Sequence, residues 1–261
     1  MAHAAHGIFL LRIEDIDQSR ARPAWEAQIF DDLQWLGLRW PRPVFRQSHR
    51  ASAYRGAMAK LWDLGLIYPC TCSRRDILDA QSAPQEGAQP AHGPDGPIYP
   101  GTCRPKGGRS ALPPPPNSAL RLDMARAMAL VGDDLEFHEQ GAGPAGQSGR
   151  ISLSPAQMVE QVGDVVLARR DMGSSYHLSV VVDDAMQGIS HVVRGADLFE
   201  ATQIHVLLQR LMRLPTPIYH HHRLIRDDTG KRLAKRDDAR AISLLRAEGA
   251  SPQDIRAMVG L

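Results

Sequence analysis

The amino-acid sequence predicts an α/β fold, with strands separated by helices, a parallel sheet and loop insertions. Three features lead there. Residues 8–13 (IFLLRI) form a short, nearly continuous apolar run, the pattern of a strand buried on both faces. Stretches with apolar residues at helical spacing follow it. Three segments rich in Ala, Gly, Pro and Gln then interrupt the chain without periodicity.

Taken in order, Pro23 opens a helix that carries Trp25, Ile29, Leu33 and Leu36 on one face and ends at Gly37. A turn follows at WPRP, residues 40–43. Residues 53–64 are helical again, with Met58, Leu61 and Trp62 as the apolar face. Residues 80–97 read as a loop. Residues 106–117, with a Gly pair and four consecutive Pro, form a second irregular connector, and 141–149 a third. Between these, 119–122 and 134–137 have strand character, and 164–168 and 178–182 further on are strand-like or buried. Residues 199–211 suit an amphipathic helix with Ile204, Leu207, Leu208 and Leu211 inward. Ser251 and Pro252 make an N-cap and N1 pair for a last short helix. No internal repeat is visible.

At 261 residues, 43% hydrophobic and 23% charged, the chain can bury a full core. A net charge of +2 permits a nucleic-acid partner without demanding one. No run of 18 apolar residues predicts a membrane span, and Met1 to Gly7 lacks the basic start of a signal peptide. The cytoplasm is the expected compartment. The three Cys all fall between positions 70 and 103, an odd, clustered set that suits a metal site or free thiols better than disulfides.

Three constellations carry chemistry. The first is Cys70 and Cys72 with the YPGTC segment of Tyr99 and Cys103. Three thiolates suit zinc, which wants four tetrahedral ligands. Tyr99 and His92 are both available as the fourth, and on ligand chemistry the neutral imidazole of His92 is the better donor. Buried, unliganded cysteines are the alternative. The second is the turn at 228–230 followed by Lys231, Arg232, Lys235 and Arg236. Such a basic loop can clamp a polyphosphate, and it also reads as a solvated surface. The third is the acidic cluster Glu14, Asp15 and Asp17 with Arg20, at the carboxyl end of the first strand, where open α/β sheets gather ligands. Taken alone, it reads better as acids complementing a helix N-terminus.

In this order, LLRIEDIDQSR, YPCTC…YPGTC, SSYHLSVVVDD, HVVRGADL and GKRLAKRDDA resemble the class I glutamyl-tRNA synthetase family, over nearly the whole chain. Its short paralogue, which lacks an anticodon-binding domain, is the nearer match, because the chain runs only 25 residues beyond Arg236. The resemblance implies a Rossmann-type parallel sheet, a small zinc-containing insertion and a short helical C-terminal segment. It divides the chain into 1–66, the first part of the catalytic domain; 67–107, the zinc insertion; 108–218, an acceptor-type insertion with the second half of the catalytic domain; and 219–261, a KMSKS-like loop with C-terminal helices.

It also implies roles. Glu14 sits where the family contacts the amino group of glutamate, and Tyr176 and Arg194 match its other glutamate-binding positions. Arg232, Leu233, Ala234, Lys235 and Arg236 match the KMSKS-type motif, with Lys235 on the ATP phosphates; Arg232 and Ala234 depart from it. The pattern C-x-C…Y-x-x-x-C implies one structural Zn²⁺ held by Cys70, Cys72, Tyr99 and Cys103. The implied enzyme is a monomeric, adenylate-forming ligase using L-glutamate, ATP and Mg²⁺, whose acceptor is the queuosine base in the anticodon loop of tRNA(Asp). The family's first strand and HIGH-like helix start have no counterpart here. Residues 1–7 therefore read as the tail of a helix, and Met1 as an internal methionine. A truncated glutamyl-tRNA synthetase charging tRNA(Glu), or a non-catalytic, zinc-stabilised RNA- or protein-binding fragment, are the other readings these residues allow.

Overall fold

The computed structural model describes residues 1–82, 91–106, 118–226, 230 and 241–260. In chain order the elements are β1 (Arg12–Ile13), α1 (Pro23–Trp35), β2 (Phe45–Arg46), α2 (Ala51–Asp63), β3 (Ile67–Cys70) and α3 (Arg74–Ser82). A small hairpin follows, β4 (His92–Gly93) and β5 (Gly96–Pro97). Then come β6 (Ala119–Leu122), α4 (Met124–Val131), β7 (Glu136–Glu139), β8 (Gly149–Ser152) and the helical turn α5 (Pro155–Gln157). The chain continues with β9 (Val166–Ala168), α6 (Tyr176–Gln187), β10 (His191–Gly195), α7 (Thr202–Met212), β11 (Ile218–His222), α8 (Ile242–Ala247) and α9 (Pro252–Val259). No helix among the described residues is long and apolar enough to cross a membrane.

The chain divides into two compact units: Met1–Arg50 with Leu224–Leu261, and Ala51–Arg223. In the first, β1 pairs in parallel with β2. The apolar run 8–13 yields only these two ladder residues, and Ile8 is 73% exposed. The reason is the partner: β2 is two residues long and passes straight into a 3-10 turn at Gln47–Arg50. Helix α1 starts at Pro23 and closes as its spacing predicts. Gly37 (φ +81) lets its own N–H reach the Gln34 carbonyl and the Leu38 N–H reach that of Leu33, a Schellman ending. Its apolar face is only partly covered, however; Leu33 and Leu36 are half-buried, while Trp25 and Ile29 are exposed. What α1 binds is the other end of the chain. Arg246 pairs with Asp31 and Asp32, and Arg256 Nη2 donates to the Leu36 carbonyl at 2.7 Å. Ser251 and Asp254 cap α9 reciprocally.

Among its described residues the second unit holds two larger sheets besides the β4–β5 hairpin. One, in the order β10-β11-β7-β8, is parallel across its first three strands and closes with the antiparallel hairpin β7–β8. The other, β3-β6-β9, is wholly antiparallel. The single parallel sheet read from the sequence is thus corrected to mixed sheets. Hairpins and returning strands bring antiparallel neighbours, and in this unit the parallel pairs are β10–β11, connected through helix α7, and β11–β7. A large core fills most of the unit, and a smaller one gathers Tyr68, Cys70 and Tyr99. Leu61 of α2, Leu122 of β6, Leu178 of α6 and Ile204, Leu207 and Leu208 of α7 are fully buried in the large one, each contributing about 1.5–3 kcal/mol.

Residues 178–181 are buried and Val182 is half-buried, as the burial reading predicts, but the stretch lies in helix α6, not in a strand. Ser175 Oγ accepts from the Leu178 N–H at the start and left-handed Gly188 ends the helix, and these caps with packing on both sides override the β-branched run. The strand expected at 134–137 lies two residues later, and that at 164–168 starts at Val166. Residues 141–149 are the loop of the β7–β8 hairpin, with β8 beginning at Gly149. The loop read at 80–97 contains the end of α3 and the β4–β5 hairpin, with 83–90 outside the described residues. Of the connector 106–117, residues 107–117 lie outside them too.

Candidate functional site

Strand β3 delivers Cys70 at its end, and Cys72 follows just before α3, whose start is capped by Ser73 and Asp76. Tyr99 and Cys103 come from the loop after β5. Left-handed Gly101 turns that loop so that the Cys103 N–H donates to the Tyr99 hydroxyl at 2.8 Å. The three thiols lie within 4.8 Å of one another. Cys72 Sγ is 3.5 Å from Cys103 Sγ, and the Tyr99 oxygen is 3.5 Å from Cys70 Sγ and 3.4 Å from Cys72 Sγ. A tetrahedral zinc with bonds of ~2.3 Å to sulfur and ~2.0 Å to oxygen sets S···S near ~3.8 Å and S···O near ~3.5 Å. The donor set fits such an ion. Among the described residues the cluster contains no histidine; His92 stands exposed on β4.

The electrostatics act in both directions: they favour the Cys103 thiolate and hold Cys72 and Tyr99 protonated until an ion displaces their protons. Burial raises the Cys103 thiol, but hydrogen bonds from Tyr99, Thr71 and Cys72 outweigh that and bring it down to about 6. Burial pushes Cys72 up, and Tyr99 with it. Arg121 supplies positive charge at close range. Its Nε donates to Cys70 Sγ at 3.3 Å and its guanidinium lies 4.0 Å from the Tyr99 ring centroid. The buried Asp164 anchors this wall, accepting from Tyr68, from Arg104 at 2.8 Å and from the Met124 N–H at 2.9 Å.

A second cluster is built across β10, β11 and β7. Arg194 and His221 are register partners on adjacent parallel strands. Arg194 Nε donates to His221 Nε2 at 3.1 Å, Nη1 to His205 Nδ1 at 3.0 Å and Nη2 to Thr202 Oγ1 at 2.6 Å. A guanidinium only donates, so both imidazoles present lone pairs to it and are neutral. Burial, then the Arg194 charge, holds His205 well below the usual histidine range. Burial lowers His221 as well, against the pull of Glu139. His221 Nδ1–H then donates to Glu139, whose other oxygen accepts from the N–H groups of His221 and Gly141. Burial raises the Glu139 carboxyl, but these bonds bring it below its ordinary value. Among the described residues, Arg194 is thus held by neutral acceptors alone, and its charge is left for an anion.

Tyr176, the first residue of α6, packs edge-on against His205 at 5.6 Å between centroids, so Tyr176 and Arg194 share one histidine. Glu14 lies in the first unit, paired with Arg12 at 3.2 Å. Its acidic neighbours have local work. Asp15 accepts from the Ser48 N–H and hydroxyl, and Asp17 from Ser19. Of the basic loop, Arg232, Leu233, Ala234, Lys235 and Arg236 lie outside the described residues. Sequence reasoning missed His177, His205, His221, Glu139, Thr202 and Asp95. One signal was present: His205 interrupts the apolar face of a helix, between Ile204 and Val206.

The family model for class I tRNA synthetases (E and Q), catalytic domain, matches residues 1–95 and 147–261. The chain is 62% identical over its full length to the glutamyl-Q tRNA(Asp) synthetase of Rhodobacter capsulatus, covering 91% of that protein. It is 38% identical to the enzyme of that name from Symbiobacterium thermophilum, over 97% of this chain and 76% of the relative. In fold it is similar to a glutamate tRNA ligase from Elizabethkingia meningosepticum, solved with its amino acid. The TM-score is 0.63 at 24% identity, over 89% of this chain. The chain spans 46% of the length of that structure.

Proposed function

The chain belongs to the class I tRNA synthetase (E and Q) catalytic-domain family, and on that premise we propose that it activates L-glutamate with ATP and transfers it to queuosine in the anticodon loop of tRNA(Asp). The observation that carries this reading is Arg194. It is a guanidinium clamped at three donors by neutral groups, near the carboxyl end of a parallel strand, with a tyrosine beside it. That is a receptor for a carboxylate. The relatives' names supply the acceptor.

In this reading Arg194 takes the side-chain carboxylate of glutamate, because the α-carboxylate must be free to attack the α-phosphorus of ATP. Tyr176 lines the same pocket, and Glu14 takes the ammonium group. Attack in line forms glutamyl-adenylate and releases pyrophosphate, whose charge Lys235, with Arg232, balances alongside Mg²⁺. A hydroxyl of the queuosine cyclopentene ring then attacks the mixed anhydride and AMP leaves. Cys70, Cys72, Tyr99 and Cys103 hold a structural zinc that ties β3 to the loop after β5. Cytoplasmic location fits such an enzyme.

Two assays test it. Glutamate-dependent exchange of pyrophosphate into ATP is expected, and radiolabelled glutamate should enter tRNA(Asp) only when that tRNA carries queuosine. Label appearing instead on the 3′ end of tRNA(Glu) would identify a charging synthetase. Exchange absent under all conditions would leave a binding protein.

A further inference from the structure

We propose that Asp95, His177 and His205 form a hydrogen-bonded relay that positions Arg194, tying the β4–β5 hairpin to the carboxylate receptor. The relay rests on the reading of Arg194 as that receptor. Its geometry continues the bonds already described. His205 gives its Nδ1 lone pair to Arg194, so its proton sits on Nε2. His177 Nδ1 is 3.1 Å from that nitrogen and accepts the proton's bond. The remaining proton of neutral His177 is therefore on Nε2, which donates to Asp95 Oδ1 at 3.3 Å. Each proton position follows from the one before. His205 and His177 are 2% and 6% exposed, so water has little access to substitute for a lost partner.

Asp95 sits in the turn between β4 and β5, and the hairpin that carries it is fixed. The Ile98 N–H donates to the Ala91 carbonyl at 2.9 Å, and Gly93 presses so close to Gln161 that a Cβ would meet its carbonyl oxygen at 2.5 Å. Without the Asp95 carboxylate, the His177 proton is free to move to Nδ1. There it faces the His205 Nε2–H, donor against donor. Relief of that clash moves the His205 proton to Nδ1, toward Arg194, where it again meets a donor. The arginine then keeps only its bonds to His221 and Thr202. Asp95, His177 and His205 are positioning residues and touch no substrate.

The test uses the full chain, with pyrophosphate exchange titrated against glutamate and against ATP. Asp95→Ala is expected to raise the KM for glutamate about threefold or more, leaving kcat and the KM for ATP within about twofold. Asp95→Asn, which keeps an acceptor at Oδ1, should return the glutamate KM to within about twofold of wild type. The independent readout is the ¹⁵N–¹H multiple-bond spectrum of the imidazoles. It should show Nε2-protonated His177 and His205 in the wild type, and a changed His177 tautomer in Asp95→Ala. A smaller rise in glutamate KM, an equal rise for ATP, or a wild-type His205 protonated on Nδ1 overturns the relay. If the wild type shows no glutamate-dependent exchange, the proposed function fails, and the tautomers with and without Asp95 alone decide the relay.

Discussion

Arg194 Nη1 lies 3.0 Å from His205 Nδ1, a group that can only donate facing a nitrogen that must accept. With the matching bond to His221, this makes the arginine a cation held by uncharged rings. The Arg194→Lys variant keeps the charge but cannot engage His205, His221 and Thr202 together, because an ammonium is a point charge without a planar fork. Its glutamate KM in pyrophosphate exchange should rise about tenfold or more while the KM for ATP stays within about twofold. A Lys variant with wild-type glutamate KM would remove Arg194 from the binding site.

The buried histidines make stability depend on pH. Burial, then Arg194, then His177 and His221 lower the His205 pKa in the folded state, and burial lowers His221. Below the ordinary value of 6.5, the unfolded chain binds protons that the native state refuses. Stability therefore falls as pH drops through that value. The slope reaches about 1.4 kcal/mol per pH unit for each histidine involved. Urea midpoints at about pH 7.5 and pH 5.5 measure it, and His205→Gln should flatten the difference. A midpoint independent of pH over that window would contradict neutral buried imidazoles.

Gly141 is where the sheet leaves no room. A Cβ there would lie 2.3 Å from the His221 carbonyl oxygen and 3.0 Å from Glu139 Oε1. Gly141→Ala must push β7 and β11 apart and is expected to cost about 1–3 kcal/mol in chemical denaturation. It should weaken glutamate binding as well, because the displaced backbone carries the His221 that holds Arg194. An alanine variant as stable as wild type would show that the strands have slack.

The legible parts of this fold were those set by local rules. Helix α2 buries Met58, Leu61 and Trp62 as their spacing predicts, and Ser251 with Pro252 opens α9. Residues 178–182 misled because Val180, Val181 and Val182 favour strands when read alone, while packing on both sides of α6 decides otherwise. The thiols were readable as a cluster from their spacing. The place of Tyr99 beside them depends on the turn at Gly101, which spacing does not encode. Glu139 lies 82 residues from His221, and the pairing of β11 with β7 brings the two together, while His205 reaches the same cluster from helix α7.

The proposed zinc site can be tested without any assay of catalysis. Tyr99 and His92 compete for the fourth ligand position, and their surroundings differ. The Tyr99 oxygen is 3.4 Å from Cys72 Sγ, whereas His92 is exposed on the hairpin. Zinc bound by three thiolates and the phenolate should be released more readily by Tyr99→Phe, which leaves the ring under Arg121 but removes the oxygen. In competition with a chromogenic chelator, that variant is expected to lose about tenfold or more in zinc affinity. His92→Ala should lose less than about twofold. Cys70→Ser should lose the ion altogether under the same conditions, since a serine hydroxyl is a poor substitute for a thiolate. If His92→Ala weakens zinc and Tyr99→Phe does not, the hairpin must rearrange on binding. If none of the three changes affinity, the thiol cluster is a buried set of free cysteines.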